Sequence, residues 1–129
     1  MRSLLLLSVL ALTGCGVNAP IQGREDPYLP AQVHFDTEEL RRDTAIGQPV
    51  VNRDQFGLLH VMLPIRSAVN YQLHTQYRVT FFDQSHVTLD QQSWIDKTLT
   101  ANTPDQVDVN SVDNRAADFQ IDFRYPPGY

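Results

Sequence analysis

The chain has 129 residues, one cysteine and a formal net charge of -5, a length that suits one compact domain and leaves no room for a second. Its basic residues are scattered apart from Arg41 and Arg42, which argues against nucleic-acid binding, because phosphate backbones are held by clustered cations. After residue 14 no apolar run approaches the roughly 20 residues that a membrane-spanning helix requires.

Residues 1–14 have the organisation of an export signal. Arg2 supplies a positive start, an apolar core runs over residues 4–12, and small residues follow it. The core is too short to cross a bilayer as a helix, and a polar segment containing prolines comes next. We therefore expect a leader that is removed rather than a permanent anchor.

The end of this leader, Leu12, Thr13, Gly14 and Cys15, resembles the bacterial lipobox, in which the cysteine thiol receives diacylglycerol before cleavage. The resemblance predicts a lipoprotein attached to a membrane through Cys15; the alternative is that Cys15 is an ordinary leader residue. At roughly 0.8 kcal/mol per buried methylene, two or three acyl chains make such attachment effectively permanent. In enterobacterial lipoproteins an Asp after the cysteine favours the inner membrane, so Gly16 favours the outer membrane.

Residues 15–30 are predicted to be the lipidated cysteine and a flexible tether. The segment after the cysteine contains three prolines and two glycines and has no apolar periodicity. The alternative is an extended lead-in that packs on the domain. Residues 31–129 then form the domain itself.

Alternation of apolar and polar residues dominates this domain. It is clearest over residues 59–65, 73–81 and 117–125, where the odd positions are mostly apolar, as in half-buried strands. Weaker strand candidates are residues 32–35, 49–52, 87–89, 94–99 and 106–110. Asp36 or Thr37 can cap a helix of one or two turns. This many short strands predict an all-β protein, a two-sheet antiparallel sandwich.

Three segments resemble the YcfL-like family of small uncharacterised bacterial envelope lipoproteins. They are residues 57–66, residues 77–83 with Trp94 after them, and residues 117–123. The resemblance implies an immunoglobulin-like sandwich at the cell envelope and supplies no catalytic residue. It also implies that the strands of residues 59–65 and 73–81 lie in opposite sheets.

The histidines do not predict a metal site. His34, His60, His74 and His86 share no short ligand spacing, and His60 and His74 fall on outward positions of strands in different sheets. No serine lies in a nucleophile-elbow pattern, and paired acids two or four apart simply line one face of a strand. We therefore predict no catalytic residue, no metal and no cofactor.

One candidate interaction surface emerges from the alternation. Phe82 is predicted to face outward beside Arg78 and His74, and Tyr129 ends a proline-containing tail of the kind that docks in aromatic grooves. The alternatives are that the following loop covers Phe82 and that the prolines only end the last strand. Trp94 is predicted to fill the core; the alternative is an aromatic that stacks on a sugar or binds a partner.

These features predict a protein that is not an enzyme, a lipid-anchored binding or structural module. It would lie at the outer membrane, facing the periplasm, and present a sheet face or edge to another envelope protein. The second hypothesis is an accessory that binds a small ligand, glycan or metal. The third is an envelope hydrolase.

Overall fold

The computed structural model describes residues 29–128. The predicted leader of residues 1–14, the lipobox with Cys15, residues 16–28 of the tether and Tyr129 lie outside the described residues. Within the described range, no helix has both the length and the apolar character needed to cross a membrane.

Between residues 29 and 128 the chain forms nine strands and one helix. In chain order they are β1 (Val33–Phe35), α1 (Glu38–Asp43), β2 (Thr44–Ile46), β3 (Val50–Arg53), β4 (Leu59–Ser67), β5 (Leu73–Phe82), β6 (Thr88–Gln91), β7 (Ile95–Leu99), β8 (Asp105–Asn110) and β9 (Asp118–Arg124). Sheet A contains β1, β5, β6, β7 and β9, and sheet B contains β2, β3, β4 and β8. The predicted two-sheet sandwich is confirmed.

Each sheet is organised around one long strand. In sheet A, β5 pairs with β9 on one side and with β6 and β7 on the other, and β1 lies outside β9. In sheet B, β4 pairs with β8, β2 and β3. These strand pairs are antiparallel as predicted, but β1 and β9 are parallel. The exception is possible because nearly the whole domain lies between them and supplies the crossover that a parallel pair needs.

The core lies between the two sheets and follows the alternation. Val61 and Leu63 of β4 and Val79, Phe81 and Ile121 of sheet A are fully buried. Each contributes roughly 1.5–3 kcal/mol through removal of its side chain from water. Strands β4 and β5 lie in opposite sheets, as the resemblance implied.

Helix α1 closes one end of the core. The Thr37 hydroxyl accepts a hydrogen bond from the backbone N–H of Leu40 at 3.2 Å, which confirms the predicted cap. Leu40 is fully buried, and the Thr44 hydroxyl donates to its carbonyl oxygen at 2.9 Å. Strand β2 follows the helix directly and was not predicted, since three residues are too few to show alternation.

The two ends of the sandwich differ. The loop end carries the β3–β4, β5–β6 and β8–β9 connections, residues 54–58, 83–87 and 111–117. The helix end carries α1 and the β4–β5 connection, residues 68–72. The strands run between these two ends, so the outer faces of the sheets form the sides.

Candidate functional site

The outer face of sheet A carries a connected group of polar side chains around the chain's single tryptophan. We call it the Trp94 face, and its members are Gln76, Arg78, Trp94, Asp96, Gln120, Asp122 and Arg124. The strand register assembles it, because Gln76 lies opposite Arg124 and Arg78 lies opposite Asp122. Directly opposed residues of an antiparallel pair project from the same face.

Trp94 lies on the outside of the sandwich, half-buried, immediately before β7. The guanidinium carbon of Arg78 is 4.6 Å from the centroid of its ring, and that of Arg124 is 4.0 Å away. Such cation–π contacts are worth about 0.5–1 kcal/mol when exposed and more when water is excluded. The prediction that Trp94 fills the core is wrong, because two cations on neighbouring strands hold its ring on the outer face.

A hydrogen-bonded relay fixes Arg124 below this ring. Its Nε donates to Oε1 of Gln76 at 2.9 Å, and Nε2 of Gln76 donates to Oδ1 of Asp96 at 2.8 Å. The relay therefore joins β9, β5 and β7 across the face. A guanidinium held this way loses little freedom when a partner binds, which favours binding.

Arg78 and Asp122 are less completely satisfied. Gln120 Nε2 donates to Oδ1 of Asp122 at 2.8 Å, whereas Oδ2 lies 3.6 Å from an Nη of Arg78. Arg78 Nε and Asp122 Oδ2 are buried without a hydrogen-bond partner. An unsatisfied buried polar atom costs about 1–3 kcal/mol, so this pair gains most from a partner that reorients it.

The predicted interaction surface is only partly assembled by the fold. His74, Arg78 and Phe82 lie at intervals of four residues along β5. His74 and Phe82 are therefore eight residues apart, about 27 Å along a strand. Arg78 belongs to the Trp94 face, exposed His74 lies at the helix end, and Tyr129 lies outside the described residues.

Phe82 lies at the loop end of β5. A bulge in the β5–β6 pairing separates Phe81 from Phe82. Phe82 is half-buried, with its ring 6.0 Å from that of His86 in the following loop. This contact agrees with the alternative in which the loop covers it.

The outer face of sheet B carries a smaller cluster around His60. Its imidazole lies 3.2 Å from Oδ1 of Asn52 and 3.1 Å from Oδ1 of Asp108. His60 and His74 lie in different sheets, as predicted. Among residues 29–128 no three histidine, cysteine or acidic side chains group closely enough to hold a metal ion.

A cleft of about 310 Å³ opens at the helix end. It is lined by Glu39, Tyr71, Gln72, Leu73, His74 and Tyr125. The Tyr125 hydroxyl donates to Oδ2 of Asp43 at 2.8 Å. Burial, the hydrogen bond to Asp43 and the charge of that carboxylate raise the pKa of Tyr125 above its ordinary value. The hydroxyl therefore keeps its proton, and its hydrogen bond to Asp43 holds the residue after β9 against the end of α1.

Sequence reasoning found Arg78 but missed Trp94 and Arg124 as parts of one face. A usable signal was present, since Arg78 and Arg124 both occupy outward positions of long alternating strands. The only tryptophan of the sequence comes directly before another strand, β7. The register of β5 against β9 was the missing information, because neither strand specifies its partner residue by residue.

Two solved structures share the fold. Cj0090 of Campylobacter jejuni superposes with a TM-score of 0.66 at 17% identity, over 75% of this chain and 100% of that one. A DUF1425 family member from Shewanella sp. pv-4 gives a TM-score of 0.59 at 19% identity, over 67% of this chain and 81% of that one.

No curated protein matches the sequence. The sequence model of the family described as "Protein of unknown function (DUF1425)" matches residues 31–125, which is nearly the whole described sandwich. The chain therefore belongs to the DUF1425 family.

Proposed function

We propose that this protein is a lipid-anchored, non-catalytic module of the bacterial cell envelope that binds another envelope protein through the Trp94 face. The observation that carries the proposal is the half-buried Trp94 ring held by Arg78 and Arg124 on the outside of sheet A. Tryptophan and arginine are the residues most enriched among those that dominate binding energy at protein interfaces. Arg124 is already held in place by Gln76, which lowers the entropy lost on binding.

The anchor and the location rest on the sequence. The lipobox residues Leu12, Thr13 and Gly14 precede Cys15, and Gly16 follows it, which favours an outer-membrane lipoprotein facing the periplasm. The resemblance to the YcfL-like envelope lipoproteins supports the same location. The membrane partner is thus the bilayer that holds the acyl chains.

The contacts of the Trp94 face favour binding over hydrolysis. Its two carboxylates are engaged by amide donors, Asp96 by Gln76 and Asp122 by Gln120. A hydrolytic pair needs carboxyl groups that hold and transfer a proton to a substrate. Here one oxygen of each carboxylate is held by an amide donor, and Asp122 Oδ2 still lacks a hydrogen-bond donor that a partner can supply.

Site-specific photocrosslinking in intact cells tests the partner. A photoreactive residue replaces Ser93, which is exposed and adjacent to Trp94, and the matched control replaces Asn110, exposed on sheet B. We expect one adduct of defined mass from position 93, none from position 110, and loss of the adduct when Trp94→Ala is added. Equal adducts from both positions, or an adduct that survives Trp94→Ala, would contradict the proposal.

The helix-end cleft supports a second candidate function, an accessory that binds a small ligand or glycan. Tyr71 is 54% exposed there beside Glu39 and His74, a combination of aromatic surface and polar groups that suits a sugar. Peptidoglycan fragments at 100 times their dissociation constant would stabilise the protein by about 2.7 kcal/mol. Thermal unfolding with and without these fragments distinguishes this candidate from a protein-binding module.

A further inference from the structure

Three exposed apolar side chains stand at the loop end, one on each connection. Phe56 is 72% exposed, Val87 is 57% exposed and Val112 is 74% exposed. Exposed apolar residues scattered singly are ordinary in soluble proteins. Three on neighbouring loops at one end of a sandwich form a surface, which we call the apolar tip.

Two of these loops are built in the same way. Oδ1 of Asp54 accepts hydrogen bonds from the backbone N–H groups of Phe56 and Leu58, at 2.8 and 3.0 Å. Oδ1 of Asp83 accepts from those of Ser85 and Val87, at 2.8 and 3.0 Å. Each aspartate therefore fixes the turn that presents the apolar residue.

The connections also contact one another. Arg53 donates to the carbonyl oxygens of Gly57 at 2.9 Å and Ala116 at 2.7 Å, which ties the β3–β4 turn to the β8–β9 connection. The backbone N–H of Ala117 donates to the carbonyl oxygen of Phe82 at 2.8 Å, which ties the β8–β9 connection to the end of β5, where the β5–β6 turn begins. A cleft of about 360 Å³ lies between the connections, lined by Arg53, Asp83, Gln84, Ser85, Asn114 and Arg115. The apolar tip is thus carried by one connected support.

The charged groups around the apolar tip are two arginines and, with Asp118 at the start of β9, four aspartates. Arg115 is paired with Asp113 at 2.7 Å, Arg53 is bound to carbonyl oxygens, and Asp54 and Asp83 are engaged by backbone N–H groups. The small net negative charge of this surface gives it no attraction for anionic headgroups. Burial of its apolar side chains is the interaction it offers.

The N-terminal side of the domain lies towards this same end. Leu29 packs against the core and lines a cleft with Phe119, the second residue of β9. The carbonyl oxygen of Gln32 accepts a hydrogen bond from the N–H of Ile121. Strand β9 begins at the loop end, so the chain enters the sandwich in its loop-end half.

The distance from the anchor is limited. From Cys15 to Leu29 the chain spans at most about 50 Å, whatever conformation it takes. Because Leu29 lies in the loop-end half of the sandwich, the loop end is nearer than the helix end to the point where the anchored segment joins the domain.

We propose that Phe56, Val87 and Val112 insert into the interfacial region of the bilayer that holds the lipid on Cys15, an inference that rests on the proposed anchor. The partner is the lipid surface itself, recognised through apolar burial rather than headgroup charge. The sandwich then stands with its loop end on the membrane and its sides, including the Trp94 face, open to the periplasm.

The test uses the full lipidated chain in vesicles of phosphatidylethanolamine with a minority of phosphatidylglycerol. Val112→Cys provides a thiol for an environment-sensitive fluorophore, since Cys15 is consumed by lipid, and Tyr71→Cys, exposed at the opposite end, is the matched control. We expect a blue shift and quenching by acyl-chain spin labels at position 112 and neither at position 71. Phe56→Asp should reduce the quenching at position 112 without unfolding an exposed site.

Each outcome decides a separate point. A protein that floats with the vesicles but shows no quenching at position 112, or equal quenching at positions 112 and 71, overturns the inference and leaves the anchor standing. A protein that does not float with the vesicles overturns both the anchor and the inference.

Discussion

The Tyr125 hydroxyl donates a hydrogen bond to the Asp43 carboxylate at 2.8 Å, which joins the end of sheet A to the end of α1 across 82 residues of sequence. Tyr125→Phe removes this bond and leaves the carboxylate unpartnered at that position. We expect a loss of about 1 kcal/mol in the free energy of unfolding, measured in urea at neutral pH. Tyr71→Phe, at an exposed tyrosine, should change stability by much less.

The same contact predicts a pH dependence. Burial and Asp43 raise the pKa of Tyr125 above its ordinary value of 10.0, so above about pH 10 the unfolded chain loses this proton while the folded chain keeps it. The stabilisation is fully present below pH 10 and declines as pH rises further. The stability difference between wild type and Tyr125→Phe should therefore shrink above pH 10; a constant difference would contradict this account.

The Trp94–Arg124 contact can be measured as a coupling energy. Trp94→Leu, Arg124→Gln and the double variant form a cycle whose interaction term isolates the pair. We expect about 0.5–1 kcal/mol of favourable coupling in urea unfolding. A coupling of zero would mean that the 4.0 Å approach of the guanidinium contributes nothing to the order of the Trp94 face.

Two phenylalanines allow a buried position in the core to be compared with an exposed position at the loop end. Phe81 is fully buried, and Phe81→Ala should cost about 3–5 kcal/mol, because it removes apolar contacts and leaves a cavity. Phe56 is 72% exposed, and Phe56→Ala should change stability by less than about 0.5 kcal/mol. If thermal unfolding ranks the two variants in the opposite order, the assignment of the core to the odd positions of β5 is wrong.

The sandwich was predictable from sequence where strands are long and one face is buried. Val79 of β5 and Ile121 of β9 alternate with polar neighbours because each strand packs one face on the other sheet. The parallel β1–β9 pair was not predictable, since three residues, Val33–Phe35, hold too little pattern to specify a partner so far along the chain. Antiparallel pairing of neighbouring strands is the better expectation from sequence alone.

The candidate site was less predictable than the fold. Arg78 was placed correctly on the outer face by the alternation of β5. Trp94 lies between strands, so no alternation constrained its direction, and its size favoured an apolar interior. Its observed place depends on Arg124, which only the pairing of β9 with β5 brings near it.

Asp113 and Arg115 give a prediction for acid pH. The Arg115 side chain donates to both carboxylate oxygens of Asp113 and holds the pKa of Asp113 down to about 2. A carboxyl group whose pKa is lower in the folded chain stabilises the fold at pH values above its pKa in the unfolded chain, near 4. This contribution is lost as pH falls from about 4 to 2. Arg115→Gln should raise the midpoint of Asp113 towards its ordinary value in a carboxyl NMR titration.

The control for this titration is Arg66→Gln, at an exposed arginine on β4. It should leave the Asp113 midpoint near 2 while changing the net charge by the same amount. A midpoint that moves equally in both variants would show that general charge, rather than the Arg115 contact, sets the pKa of Asp113.

The lipid on Cys15 is the claim on which the location and the membrane orientation both depend, and the intact mass of the protein from its native membrane fraction tests it most directly. We predict a mature chain that begins at Cys15 and carries the added mass of a diacylglyceryl group, with or without a further acyl chain. A chain that retains residues 1–14, or that begins elsewhere with an unmodified Cys15, would contradict the account.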